Sequence, residues 1–321
     1  MTDTPSLQPP QIKCIKKQLN DHFELVDLRE INWLLGIHIQ HDPTSHTISL
    51  SQQAYIDHIV DRIGLGDTRP IATPLEPGID LSFDSPAISP ECLNRSEILH
   101  YREAIGSLMY AAISTRPDIS FAVSTLSHFM EAPRSTHWKA ILQVFKYLKG
   151  TRELRLVLGG NETTLRGYSD ADWASHADRY SISGYAFFIG DGAVSWSSKK
   201  QPIVTLLSTE SEYVALTHSA KEVIWLRKLI SELLDHLSSP SKLNCDNQGA
   251  ITLSKDSTYH MHTKHIDTRF HFIHQLVTLC FTTLVYCSTE DMVADIFTKS
   301  LARVKLVKFR DLLGLSSPVS A

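Results

Sequence analysis

The sequence predicts an α/β fold: a mixed five-stranded sheet with flanking helices in the C-terminal half, preceded by an α+β and largely helical stretch. Three observations carry this reading. From Leu165 onward, short β-prone runs alternate with helical patterns, and the first three runs are joined by tight turns. Gly190-Asp191-Gly192 between two of those runs is a hairpin signal. Four short phrases place an acid at the end of a strand or the start of a helix, where side chains from separate elements converge.

Residues 12–23 have the pattern of a short helix, and Leu34 to Ile39 reads as a strand returning through Ile48 to Leu50 across an Asp42-Pro43 turn. Ser51 is placed to cap a helix through Ile63, with Tyr55, Ile56, Ile59, Val60 and Ile63 at helical spacing and Gly64 as its stop. Residues 66–94, with Pro70, Pro74, Pro77, Pro86 and Pro90, read as extended linker or surface loop. Residues 96–149 read as three packed helices: one with Tyr101, Ile105, Leu108 and Met109 on a face, one opened by Arg116-Pro117-Asp118, and one from His137 to Leu148.

Beyond Leu165, strands are expected at 167–170, 184–189, 193–197, 242–246 and 284–287. Helices are expected at 208–234, 247–253, 266–277 and 292–301. The expected units are 1–94, 95–160, 161–315 and a tail at 316–321.

Composition bounds the function classes. The chain has 321 residues, 42% hydrophobic and 21% charged, with net charge −4, an ordinary balance for a globular protein with room for two cores. No apolar run reaches membrane-spanning length, and Met1 to Ser6 lacks the features of a signal peptide. The five cysteines are odd in number and without CxxC spacing, so free thiols in an intracellular setting are expected, cytoplasmic or nuclear and not secreted. No basic surplus announces nucleic acid, although clustered catalytic acids lower net charge while basic stripes persist elsewhere.

The acids fall in Tyr168-Ser169-Asp170-Ala171-Asp172-Trp173, Ser208-Thr209-Glu210-Ser211-Glu212-Tyr213, Asn244-Cys245-Asp246-Asn247-Gln248 and Ala294-Asp295-Ile296-Phe297-Thr298-Lys299. Singly, each has a structural explanation: Asp170 and Asp246 as turn residues, Thr209 with Glu212 as a capping box, Asp295 as a helix-start acid. Together they point to a metal centre. Two carboxylates about 4 Å apart repel by roughly 4 kcal/mol at an effective dielectric of about 20, so four cannot all ionise without cations. Hard oxygen donors select Mg²⁺ or Mn²⁺, and two such ions ~3.5–4 Å apart clamp the attacking and leaving oxygens of an in-line phosphoryl displacement.

Seven phrases carry a resemblance. They are Ser-Asp-Ala-Asp-Trp-Ala (169–174), Ser-Gly-Tyr-Ala-Phe-Phe (183–188), Trp-Ser-Ser-Lys-Lys-Gln-Pro (196–202), Ser-Thr-Glu-Ser-Glu-Tyr-Val-Ala (208–215), Cys-Asp-Asn-Gln-Gly-Ala (245–250), Thr-Lys-His-Ile-Asp (263–267) and Ala-Asp-Ile-Phe-Thr-Lys (294–299). On these, residues 165–315 resemble the ribonuclease H domain of copia-type long-terminal-repeat retrotransposon Pol polyproteins. The upstream half resembles the post-palm reverse transcriptase region of the same polyproteins. Asn32-Trp33-Leu34-Leu35-Gly36-Ile37, Tyr101 to Tyr110, Thr115-Arg116-Pro117-Asp118-Ile119 and Tyr147-Leu148-Lys149-Gly150-Thr151 carry that likeness.

The resemblance implies a ribonuclease H-like fold preceded by a reverse-transcriptase thumb or connection remnant. It implies two Mg²⁺ or Mn²⁺ ions at Asp170, Glu212, Asp246 and Asp295, and endonucleolytic cleavage of the RNA strand of an RNA–DNA hybrid. Glu212 is preferred over Glu210 because Tyr213 and Ala215 follow it as the family pattern requires; Glu210 stays open, and Asp172 is a weaker neighbour of Asp170. Within the histidine-rich stretch 259–274 no cysteine stands at zinc spacing, so solvated or nucleic-acid-facing histidines are expected, and the resemblance implies that His265 assists proton transfer or product departure. Lys199, Lys200 and Lys264 are candidate phosphate contacts, while Trp173 and Trp196 read as packing residues. The Tyr-x-Asp-Asp motif of the polymerase palm does not occur, so no polymerase activity is expected of these residues alone. Expected partners are the hybrid and the polymerase part of a related polyprotein, with virus-like particles as a setting and no membrane. The alternatives are a non-enzymatic relic that at most binds nucleic acid, and another metal nuclease on the same fold.

Overall fold

The computed structural model describes residues 9–26, 30–83, 89, 91–160, 164–174, 178–234, 239–255 and 267–318. In chain order its elements are α1 (Pro9–Asn20), β1 (Trp33–Leu34), β2 (Ile37–Asp42), β3 (Thr47–Ser51), α2 (Gln53–Arg62), α3 (Arg95–Ser114), α4 (Ser120–Ser127), α5 (Ser135–Gly150) and β4 (Arg155–Gly159). There follow β5 (Leu165–Asp172), β6 (Ile182–Ile189), β7 (Gly192–Lys200), α6 (Ser208–Leu234), β8 (Ser241–Cys245), α7 (Gln248–Lys255), α8 (Asp267–Thr278), β9 (Thr282–Tyr286), α9 (Arg303–Leu312) and β10 (Leu315–Ser316). Short 3₁₀ turns cover Pro117–Ile119 and Val293–Phe297.

The C-terminal sheet has the order β7-β6-β5-β8-β9. β5, β6 and β7 form an antiparallel meander, while β8 and β9 add parallel to β5. Parallel pairing requires crossovers, and α6 and α7–α8 supply them. Three antiparallel strands followed by two parallel ones, with the first helix between the third and fourth strands, is the ribonuclease H-like arrangement.

Each strand feeds two cores because its side chains alternate. On β6, Phe187 packs with Leu216, Val223 and Leu243 under α6, whereas Ala186 and Phe188 join Ile105, Leu108 and Val144 of the upstream helices. The helices α3–α5 thus cover the second face of the sheet. Trp196 on β7 donates its indole N–H to the Ala112 carbonyl at 2.9 Å, and Ser124 donates to the Ser198 carbonyl at 2.9 Å. A second sheet, β1-β2-β3-β4-β10, joins the two ends of the described chain: β10 pairs with β4 at Leu315↔Leu156.

Two of the upstream phrases meet in one buried network. Arg116 grips Asp118 through Nε (2.9 Å) and Nη2 (2.7 Å), and donates to Thr151 Oγ1 at 2.6 Å. Tyr147 donates its hydroxyl to Asp118 Oδ2 at 2.6 Å. Arg116 and Asp118 are fully buried, and such a pair is tolerated because its donors and acceptors are matched bidentately.

Several elements differ from expectation. Residue 52 rather than Ser51 is the N-cap position of α2, and Ser51 Oγ reaches only the Gln53 N–H, at 3.3 Å. The proline-rich stretch is not a free linker, since Leu75 and Leu81 are buried in the main core. The helix expected over 292–301 is a 3₁₀ turn ending at Phe297, and α9 and the strands β4 and β10 were not expected at all. Their apolar residues are too few and too short-range to signal themselves; Leu156, Leu306 and Leu315 are buried by partners distant in sequence.

Candidate metal centre

β5 and β8 run parallel with Gly167 beside Leu243 and Tyr168 beside Asn244. Continuing that register sets Asp170 level with Asp246 at the C-terminal ends of adjacent strands, with their side chains on one face. α6 then crosses β5, and its second turn brings Glu212 over the same end. A carboxylate oxygen of Glu212, one of Asp246 and the Cys245 sulfur all lie within 4.8 Å of one another. The Ala171 backbone N–H donates to Glu212, while Glu212 Oε2 is buried without a hydrogen-bond partner. Thr289 donates its hydroxyl to Asp246 Oδ2 at 2.9 Å.

Glu210 has another job. It accepts the Leu206 backbone N–H at 2.8 Å, satisfying a donor just ahead of α6. The expected pairing of Thr209 with Glu212 as a capping box is absent, because Glu212 turns into the acid cluster.

Asp170 is nearly fully buried and accepts the Thr298 hydroxyl. Room for Thr298 comes from Gly184, the antiparallel partner of Asp170. A Cβ at Gly184 would stand 2.8 Å from Phe297 Cβ and from Thr298 Cγ2. Burial, then the Asp295 charge, pushes the Asp170 carboxyl up to about 7. Glu212 is raised well above the usual carboxylate range by burial, then by Asp170 and Asp246.

Asp295 is fully buried and ion-paired with Lys299 (2.8 Å to Oδ1) and Lys305 (2.6 Å to Oδ2). Burial pulls the Lys299 ammonium down, but the charge of Asp170 and then the bond to Asp295 hold it above the ordinary lysine value. Thr298, Lys299 and Lys305 were not picked out from sequence. Lys299 lay within a quoted phrase, but its partnership depends on the turn at Val293–Phe297 and on α9.

The residues fit a divalent cation. Glu212 supplies an orphaned buried oxygen, Asp246 and Asp170 supply neighbouring carboxylates, and raised acids mark a cluster short of positive charge. Carboxylate oxygens suit Mg²⁺ or Mn²⁺. Cys245 does not add a thiolate: burial raises its thiol strongly, and its sulfur accepts the Asn247 N–H at 3.4 Å.

Of the other candidates, Lys199 is exposed on β7 and lines a groove with Ser183, Tyr185, Ser197, His218 and Lys221. Lys200 is paired with Asp178 and sits over the Tyr180 ring. Trp173 donates to the Thr205 carbonyl at 3.2 Å and is half exposed, more open than a core residue. Lys264 and His265 lie outside the described residues.

The sheet order and the acids at its strand ends define a ribonuclease H-like protein. The chain's similarity to known proteins narrows the class. Residues 6–77 match the family model of reverse transcriptase (RNA-dependent DNA polymerase). The chain is 39% identical over 307 residues to the retrovirus-related Pol polyprotein from transposon TNT 1-94 of Nicotiana tabacum, covering 95% of this chain and 23% of that protein. It is 30% identical to a transposon Ty5-1 protein of Saccharomyces cerevisiae, covering 65% of this chain and 67% of the relative. Among solved structures it is similar to LC11 ribonuclease H1, crystallised with an RNA/DNA hybrid, at 14% identity and a TM-score of 0.33, over 42% of this chain and 94% of that one. The chain belongs to the copia-type retrotransposon Pol polyprotein family. It spans about a quarter of the length of the tobacco relative.

Proposed function

We propose that this chain hydrolyses the RNA strand of an RNA–DNA hybrid at a divalent-metal centre built on Asp170, Glu212 and Asp246. The observation that carries the reading is the convergence of these acids at adjacent strand ends, with one buried Glu212 oxygen lacking any partner. Mg²⁺ or Mn²⁺ bound there would supply charge neutralisation for the phosphodiester and a water acidified toward neutral pH. The protein's own part is positional. Thr298 orients Asp170, Thr289 orients Asp246, and the Ala171 N–H holds Glu212. Asp295 is assigned to the same site, as an anchor for Lys299 and Lys305 beside Asp170.

In this reading the hybrid's backbone follows the groove of Lys199, His218 and Lys221 away from the acids, with phosphate contacts setting position rather than sequence. Contacts to 2′-hydroxyls would select RNA over DNA. Polymerisation is not assigned to these residues, which contain no Tyr-x-Asp-Asp motif. Pairing with the polymerase part of a polyprotein is supported by exposed Val26, Trp33 and Leu35 in the segment that matches the reverse transcriptase model. The working setting is intracellular.

The test is cleavage of an end-labelled hybrid by the full chain in Mg²⁺ and in Mn²⁺, beside Asp246→Asn and Asp170→Asn. Metal-dependent cutting confined to the RNA strand, and lost in both variants, is expected. A folded wild-type chain that binds Mn²⁺ yet leaves the hybrid intact would sink the assignment in favour of a relic that only binds nucleic acid.

A further inference from the structure

The C-terminal sheet ends differently on its two sides. At the β7 edge, outward groups are taken up: Ser124 donates to the Ser198 carbonyl at 2.9 Å, and the Ala193 N–H reaches the Leu313 carbonyl at 3.0 Å. The β9 edge is open. There the Ser241 N–H goes to the Phe281 carbonyl at 3.1 Å, and the Cys287 N–H to the Cys245 carbonyl at 3.0 Å. Backbone groups alternate in direction along a strand, so Phe281, Thr283, Val285 and Cys287 face β8. Thr282, Leu284 and Tyr286 therefore point their N–H and C=O groups away from the sheet, and among the described residues none takes them up. Exposed edges are ordinarily blunted by charge, proline or shortness. β9 has none of these: Leu279 to Cys287 contains no charged residue and no proline, and the strand is five residues long. The edge strands β1 and β10 of the second sheet have two residues each. Thr283 and Val285 share the open face of β9, opposite the buried Thr282 and Leu284. The core beneath α3–α5, among the described residues, takes nothing from β8 or β9, so the upstream helices leave this side clear.

We propose that the β9 edge is an interface with a second copy of this chain, the two β9 strands pairing antiparallel about a two-fold axis through Leu284. The phase of the edge selects this occupant and this register. Centring the axis there sets Leu284 opposite Leu284 of the second copy, and Thr282 opposite Tyr286 of the second copy. Every outward group of one edge then meets one of the other, giving roughly six backbone hydrogen bonds. The same register sets Thr283 opposite Val285 of the second copy on the open face, a pair of β-branched side chains suited to cross-strand packing. No like charges meet, because the run carries none. A ladder this short falls at the low end of specific interfaces, so the pairing is reversible and depends on concentration. The strands run in opposite directions, so the two acid clusters lie at opposite ends of the joined sheet and both stay open.

Sedimentation of the full chain, without nucleic acid, tests the pairing across a micromolar concentration series. The mean mass is expected to rise from the 36.1 kDa monomer toward twice that value. Thr283→Lys/Val285→Lys sets lysines opposite one another at the axis and is expected to stay monomeric, with an unchanged circular dichroism melt. A second measurement fixes the register, in a Cys280→Ser/Cys287→Ser background that removes the neighbouring free thiols. Chains carrying Thr283→Cys and chains carrying Val285→Cys, mixed in equal amounts, are expected to become disulfide-linked under mild oxidation. Non-hydrogen-bonded antiparallel pairs hold their Cα atoms about 4.5 Å apart, within disulfide reach. Each variant alone is expected to crosslink at least about tenfold less, since its cysteine then faces Val285 or Thr283. A monomer at every concentration, a dimer that persists in the lysine variant, or equal crosslinking by the separate variants would each overturn the proposal.

Discussion

At the scale of single residues, the molecule concentrates its electrostatic cost in two places. The first is Asp170, whose carboxyl is pushed up to about 7 by burial and the Asp295 charge. A folded-state value above the unfolded one means that the native state binds the extra proton between about pH 4 and 7. Without metal, therefore, Asp170 lowers stability as pH rises through that window and contributes no further change above it. Melting temperatures measured in chelator should fall from pH 4 to pH 7, with Asp170 and Glu212 both contributing, and Asp170→Asn should make the fall smaller; an unchanged slope in the variant would count against the placement of Asp170. The second place is the Arg116–Asp118–Tyr147 network, where every charge has a matched partner. Asp118→Ala would strand a fully buried guanidinium and should cost about 3–5 kcal/mol in urea unfolding. A loss below about 1 kcal/mol, the range of exposed pairs, would show that solvent reaches the network.

At the scale of elements, the N-terminal end of α6 divides two glutamates between two tasks. Glu210 closes the helix start on the Leu206 N–H, and Glu212 faces the acid cluster. Glu210→Ala should therefore cost about 1 kcal/mol of stability and keep hybrid cleavage. Glu212→Gln should abolish cleavage while leaving the metal-free protein at least as stable, because a buried carboxyl whose ionised form is disfavoured has been replaced by a neutral amide. The reverse pattern would exchange the two roles. The same logic of close approach explains Gly184: the 3₁₀ turn at Val293–Phe297 lies against β6 so tightly that a methyl group would meet Phe297 and Thr298.

At the scale of the whole molecule, the sheet is the shared wall between two cores. Ile182, Phe188 and Ala193 on one face pack with Ile105, Leu108 and Val144, and with Leu306, Phe309 and Leu313 near the C-terminus. A chain built this way should unfold in urea as one transition. Residues 161–321 alone would expose that face and should show a lower midpoint and a tendency to associate. Two separate transitions in the full chain, the later one matching the fragment, would instead demonstrate independent units.

What could be read in the linear chain was whatever repeats locally or stands in a rigid phrase. The alternation of β5, β6 and β7, the apolar spacing along α6 from Tyr213 through Leu216, Ala220 and Val223, and the acids at 170, 212, 246 and 295 all lie in short windows. Periodicity and phrase order therefore sufficed for the fold class and for naming the acids. The family resemblance preferred Glu212 and left Glu210 open, because the two lie only two residues apart at the start of one helix; the packing of α6 across β5 is what turns Glu212 inward and leaves Glu210 on the Leu206 N–H. The linear chain did not reveal that Arg116, Asp118, Tyr147 and Thr151 form one network, or that Lys299 and Lys305 close on Asp295, because those contacts depend on turns and helices brought together by the folded core. The acids are written in the chain, but which of them keeps an unpartnered oxygen and which is already ion-paired is decided by burial, and burial exists only after the elements have packed.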